Sequence, residues 1–177
     1  MLERDRTVLI VVDIQGNLAE AMCEKEALFE NAEKIIRGVQ ILGIPILVTE
    51  QIKLGPTIPA LSRYLPGVHP IVKDSFSCCG DERFMRELMA LNRRQILMTG
   101  IEAHVCAYQT SMDLLAGGYE VHLVADAVSS RTARNREIGI QKLIAAGAVL
   151  TSTEMALFEL LKTATDPRAK DLFKIIK

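Results

Sequence analysis

The chain runs to 177 residues with 49% hydrophobic content, which suits one domain with a substantial core. Lysine and arginine number 21 against 22 aspartates and glutamates, so the net charge is -1 and no basic cluster offers a field to nucleic acid or to an anionic membrane. The opening MLERDRTVLIVVD holds only a short apolar run, too brief for a membrane span and without a cleavage-type small-residue site, so a soluble cytoplasmic protein is expected.

The first apolar run, TVLIVVD, reads as a strand ending at Asp13, with Gln15 just beyond. Phe29 to Leu42 carries Phe29, Ala32, Ile36, Val39 and Ile41 at near-helical spacing and stops at Gly43, a natural left-handed cap. PILVTE is a second strand ending at Glu50. The Gly/Pro-rich stretch from Lys53 to Pro70 reads as a long loop, and HPIVKD as a third strand around Lys73. Asp81 to Leu91 is a helix with acidic residues in its first turn and arginines just past its end, as the macrodipole prefers. QILMTG ends at Gly100 and leads into a helix from Ala103 to Ala116, stopped by Gly117 and Gly118, with Val105, Tyr108, Met112 and Leu115 on a stripe facing the core. EVHLVAD closes at Asp126, a helix spans Thr132 to Ala146, AVLTS is the last strand, and Thr153 caps a helix to Leu161. From Asp166 an Asp-Pro start and the stripe Ala169, Leu172, Phe173 and Ile176 predict a helical tail over 166–177 that docks on its own domain or on a neighbouring subunit.

Strands alternating with helices are the pattern of a parallel sheet covered on both faces. The expected fold is α/β: a three-layer α/β/α, Rossmann-like single domain over residues 1–177 with six parallel strands. In such sheets, sites form at the carboxyl ends of the strands. Asp13, Lys73 and Cys106 all follow or close strands there. Cys106 lies in the first turn of its helix, where unpaired N–H groups favour a thiolate and can hold an oxyanion. Taken singly, each has an ordinary alternative: Cys106 as a packed small hydrophobe, Asp13 as a cap, and Lys73 snorkelling to solvent. Brought together, they make a nucleophile, a base and a cationic partner.

No histidine completes the common Cys–His pairing. His104 sits two residues before Cys106 and faces away from it, His122 lies inside a strand, and His69 is at the far end of its strand. Cys23, Cys78 and Cys79 show no zinc spacing, and the adjacent pair reads as a loop feature.

Five ordered segments carry a resemblance: VVDIQ, VTEQ followed by LGPTIPAL, IVKDSFS, GIEAHVC, and DAVSSR at Asp126 to Arg131. From Val8 to about Leu161 the chain resembles the isochorismatase-like cysteine hydrolase superfamily. Within it the chain is most similar to the isochorismatase-domain-containing subgroup, whose physiological substrate is generally undefined. The resemblance implies an aspartate–lysine–cysteine triad at Asp13, Lys73 and Cys106. It also implies a cis peptide between Ile101 and Glu102, with the N–H groups of Glu102 and Cys106 aimed at a developing oxyanion.

The implied reaction is cleavage of a small-molecule amide or carbamoyl C–N bond through a thioester. A vinyl ether hydrolysis with Asp13 as proton donor, a catalytically silent scaffold, and a redox protein pairing Cys106 with Cys78 or Cys79 are the alternatives. Nicotinamidases of the superfamily hold a metal through an aspartate and histidines where this chain has VTEQIKLGPT, so no metal and no cofactor is expected. Gln15, Leu18, Gln51, Phe76 and His104 are the expected pocket residues, and Arg131 is expected to bind Asp126 or a neighbouring loop. The resemblance implies a homo-oligomer, with Phe29, Tyr64, Leu65, Leu172 and Phe173 as the apolar residues to watch.

Overall fold

The computed structural model describes residues 1–177. Its strands are β1 (Thr7–Val12), β2 (Ile46–Gln51), β3 (Ile71–Lys73), β4 (Gln95–Ile101), β5 (Glu120–Ser129) and β6 (Val149–Thr151). They form one parallel sheet in the order β3-β2-β1-β4-β5-β6. The chain winds outward from β1 through β2 to β3, then returns to β4 on the other side of β1 and winds outward again. The winding therefore reverses between β1 and β4, and a crevice opens at the carboxyl ends of those two strands.

All six residues of β1 are buried, which is why its sequence is nearly continuous apolar rather than alternating. The period of two still sorts them: Leu9 and Val11 join one core, while Val8, Ile10 and Val12 join the other. On the first face pack α2 (Lys25–Ile41), α7 (Thr153–Leu161) and α8 (Ala169–Ile176), through Ala32, Ile36, Leu157, Leu160 and Leu172. On the second pack α4 (Glu82–Ala90), α5 (Cys106–Ala116) and α6 (Ala133–Ala145), through Phe84, Leu88, Ala107, Leu114 and Leu143. Each fully buried Leu, Ile, Val or Phe contributes roughly 1.5 to 3 kcal/mol of transfer free energy, so both faces of the sheet are held by apolar burial.

The expected three-layer α/β/α fold is present, and the differences are local. Two short helices escaped the periodicity: α1 (Gly16–Glu20), and α3 (Pro59–Ser62) inside the stretch read as a loop. Each is too short to show a helical repeat. The helix α2 begins at Lys25 rather than Phe29. The helix α5 begins at Cys106 rather than Ala103, because the Ala103 N–H leaves the helical ladder to donate to the Ser129 carbonyl at 2.7 Å. Ser152, not Thr153, caps α7: its hydroxyl accepts from the Met155 N–H at 3.2 Å. Thr153 instead donates through its N–H and hydroxyl to Asp126, at 2.9 and 3.0 Å.

The tail docks on its own chain. Ala169 and Leu172 are buried against the α2 core, Phe173 stacks on Phe158 with ring centroids 5.8 Å apart, and Arg4 pairs with Asp166 at 2.6 Å. Leu65 is buried in the same core, and Tyr64 lies under the guanidinium groups of Arg37 and Arg63. No helix is long and apolar enough to cross a membrane.

Candidate active site

Asp13 is the first residue beyond β1, and its φ of +52° turns the chain into the left-handed region that aspartate tolerates better than most side chains. Its N–H donates to the Thr49 carbonyl at 3.2 Å, which ties it to the end of β2. The carboxylate is 1% exposed, and each of its oxygens has a partner. Oδ1 accepts from the Thr49 hydroxyl at 2.7 Å, and Oδ2 accepts from Lys73 Nζ at 2.8 Å.

Lys73 ends β3, paired in register with Gln51 of β2. Its side chain is fully buried, and the ammonium is solvated by protein instead of water. Besides Asp13, it donates to Gln51 Oε1 at 2.7 Å, to the Ser75 carbonyl at 3.1 Å and to the Phe76 carbonyl at 3.2 Å. A buried charge survives only with such partners, since the desolvation penalty otherwise exceeds the Coulombic gain.

Cys106 arrives from β4 by a tight route. Gly100 has φ +113°, and a Cβ there would sit 2.1 Å from the Val12 carbonyl oxygen, so β4 meets the end of β1 backbone to backbone. The peptide between Ile101 and Glu102 is cis. The turn that follows is held from β5 and α6. The buried Glu102 carboxylate accepts from the Arg131 N–H at 2.8 Å and from Arg131 Nε at 3.2 Å. His104 Nδ1 lies 2.9 Å from the Ser130 hydroxyl, and Gly139 of α6 packs on the Ala103 carbonyl. The N–H groups of Glu102 and Cys106 are not among the donors of the loop and cap hydrogen bonds around this turn.

The Cys106 thiol is near enough to Asp13 and Lys73 for both charges to bear on it. Burial pushes it up to about 12, the Asp13 charge adds to the rise, and Lys73 pulls the other way. The helix start therefore does not leave a standing thiolate, as its position alone suggested. The resting pair is a thiol with its base beside it. Of the three side chains only Cys106 reaches the surface, at 8% exposure against 1% for Asp13 and Lys73. The cavity of about 460 Å³ along the terminal helix, lined by Asp166, Phe173 and Lys177, shares no residue with this centre.

The expected pocket residues fare differently from the triad. Gln15 is buried with its amide fully engaged: Oε1 accepts from the Gln51 N–H at 2.7 Å, and Nε2 donates to the carbonyls of Gln51 and Gly55. It braces the loop at Gly55 against the end of β2. Gln51 is likewise occupied, by Lys73 and by the Asp74 carbonyl at 2.8 Å. Leu18 packs on the α2 core, the Phe76 ring is 56% exposed, and His104 is half-buried against Ser130. Arg131 binds Glu102 in the neighbouring loop, the second of its two expected partners, and not Asp126.

Two neighbours of the centre were missed. Thr49 is a fully buried hydroxyl in LVTEQ, and a polar residue inside an apolar strand is the signal that marks it. Cys78 is buried too, with Sγ 3.7 Å from Thr49 Oγ1 and its N–H donating to Thr110 Oγ1 at 2.9 Å. Burial pushes its thiol up to about 11 and that of half-buried Cys79 to about 12, so the adjacent pair belongs to packed structure rather than to a free loop. No three His, Cys, Asp or Glu side chains cluster as a cation cage.

A six-stranded parallel sheet with Asp13, Lys73 and Cys106 at the carboxyl ends of its strands defines an α/β fold with a candidate centre at the switch point. Residues 7–155 match the isochorismatase domain, and the chain belongs to that family. It is 35% identical over 178 residues to the secreted isochorismatase effector Isc1 of Phytophthora sojae, covering 97% of this chain and 84% of the relative. It is 35% identical over 173 residues to isochorismatase domain-containing protein 2 of Danio rerio, covering 96% and 86%. Among solved structures, the MAR1 ribonuclease from Caenorhabditis elegans superposes with a TM-score of 0.93 at 33% identity, covering 99% of this chain and 91% of that one. The YcaC protein of Escherichia coli, an octameric hydrolase of unknown specificity, shares the fold at a TM-score of 0.93 and 20% identity, covering 98% and 89%.

Proposed function

We propose that the chain is a cysteine hydrolase that cleaves a small-molecule amide or carbamoyl C–N bond. The observation that carries this reading is the buried Lys73–Asp13 pair at 2.8 Å, whose two charges bear on the nearby Cys106 thiol. Asp13 takes the thiol proton as Cys106 Sγ attacks the carbonyl carbon, and the charge moves onto the carbonyl oxygen. The N–H groups of Glu102 and Cys106 receive that oxyanion. Asp13 returns the proton to the leaving nitrogen, the C–N bond breaks, and ammonia or an amine departs. Water, deprotonated by Asp13, then attacks the thioester, releasing the acid and restoring the thiol.

The thiol value of about 12 makes the base indispensable, because almost no thiolate forms unaided at neutral pH. Lys73 holds Asp13 in place and favours negative charge on sulfur. A homo-oligomer is part of the proposal. Val149 and Leu150 on the edge strand β6, with Met155 on the adjoining α7, expose apolar surface that a second copy would cover.

The test is a panel of small amides, carbamoyl compounds and vinyl ethers offered to the wild type and to Cys106→Ala. Nitrogen release that disappears in the variant supports the proposal. Turnover of vinyl ethers alone, retained without the thiol, replaces it with the ether reaction. The name of the nematode relative adds RNA to the panel, although a net charge of -1 without a basic cluster weighs against a phosphate backbone as substrate.

A further inference from the structure

The Lys73 ammonium has three protons and four oxygen neighbours: Asp13 Oδ2, Gln51 Oε1, and the Ser75 and Phe76 carbonyls. No N–H is left over for a substrate, so what matters about this lysine is where its charge sits. Gln51 supplies the shortest of these contacts, and it is the one neutral side chain among them. Its own position is over-determined. Its N–H donates to Gln15 Oε1, its carbonyl accepts from Gln15 Nε2, and its Nε2 grips the Asp74 carbonyl in the segment that also carries Ser75 and Phe76. Both ends of the side-chain amide are held, so its oxygen has a fixed place beside Lys73.

We infer that Gln51 is a positioning residue whose amide oxygen fixes the Lys73 ammonium beside Asp13 and Cys106, and so sets how readily the nucleophile ionises. The inference rests on the thiol-nucleophile reading above. The titratable groups around Lys73 are Asp13 from the end of β1, Cys78 from the turn after β3, and Cys106 from α5. Gln51 is the uncharged partner that lets Lys73 keep its full charge toward Cys106. A second carboxylate in its place would cancel much of that field, and an alkyl group would free the ammonium to move.

The experiment follows iodoacetamide alkylation of Cys106 against pH in the full chain. Peptide mass spectrometry reads the adduct, with Cys23, Cys78 and Cys79 as internal references, in wild type, Gln51→Leu and Gln51→Glu. Both variants should lower the Cys106 alkylation rate across the pH range in which the chain stays folded, by about tenfold for each unit the thiol rises. Gln51→Glu keeps the acceptor oxygen but loses the Nε2 donor to the Asp74 carbonyl, so urea unfolding of both variants separates an effect at Cys106 from a folding defect. On any amide substrate found active, kcat should fall while KM stays within about twofold, because the interaction acts through the nucleophile. A Cys106 alkylation rate unchanged in both variants, or a raised KM with kcat unchanged, overturns the inference. Amide turnover that is unchanged in Cys106→Ala overturns the nucleophile reading itself, and the role of Gln51 with it.

Discussion

Lys73 Nζ and Asp13 Oδ2 stand 2.8 Å apart with side-chain exposures of 0% and 1%, so each charge depends on the other for its place in the interior. Lys73→Met should therefore destabilise the fold by about 3 to 5 kcal/mol, because it strands a buried carboxylate. Adding Asp13→Asn, which tolerates the left-handed backbone at that position, should recover part of the loss. Urea unfolding of the two singles and the double measures the coupling. Simple additivity of the two losses would show that the pair does not act as a unit.

Thr49→Val keeps the shape of the side chain and removes the donor to Asp13 Oδ1. A hydrogen bond to a charged group contributes about 1.5 to 3 kcal/mol, so the urea midpoint should fall accordingly. Any amide turnover should drop with it through kcat. A variant as stable as wild type would mean that Asp13 finds another donor.

Much of this arrangement is legible in the sequence. The near-continuous apolar strands predict a sheet buried on both faces, and the alternation with helices predicts its parallel order. Asp13, Lys73 and Cys106 stand out because polar or reactive residues at the ends of such strands need a reason to be there. Partner choice is not legible. Gln15 and Gln51 sit at strand ends like the triad, yet the Gln15 amide bonds the Gln51 backbone and the Gly55 carbonyl, the Gln51 amide bonds Lys73 and the Asp74 carbonyl, and only the folded loop shows this. Arg131 finds Glu102 instead of Asp126 because residues 102–105 leave the helix and bring Glu102 against the end of β5, a local departure with no periodic signature.

Gly139 lies on the turn that delivers the nucleophile: a Cβ there would sit 2.5 Å from the Ala103 carbonyl oxygen. Replacing glycine by alanine inside a helix ordinarily stabilises by about 1 kcal/mol. Gly139→Ala should instead destabilise by roughly 1 to 3 kcal/mol through overpacking and slow the alkylation of Cys106 by displacing residues 103–104. A rise in melting temperature with unchanged thiol reactivity would contradict this close approach.

His122 is buried, with neither ring nitrogen hydrogen-bonded, and burial holds its pKa below the usual 6.5 despite the nearby Glu159 and Glu120 carboxylates. The folded state thus binds the proton less readily than the unfolded chain. The stability this residue contributes is present above about pH 6.5 and is lost as pH falls below that value. Stability curves of wild type and His122→Leu should hold a constant separation above about pH 7 and change it below about pH 6.5, where wild type loses more stability with falling pH than the variant. Parallel curves would show that His122 keeps its proton on folding.

The central claim is a covalent step at one sulfur. Rapid acid quenching during turnover of an active amide, followed by peptide mass spectrometry, should find the acyl group as a thioester on the peptide containing Cys106. The adduct should be absent from Cys23, Cys78 and Cys79 and from the Cys106→Ala variant. Turnover that continues with no acyl group on Cys106, or that survives in Cys106→Ala, would contradict the account.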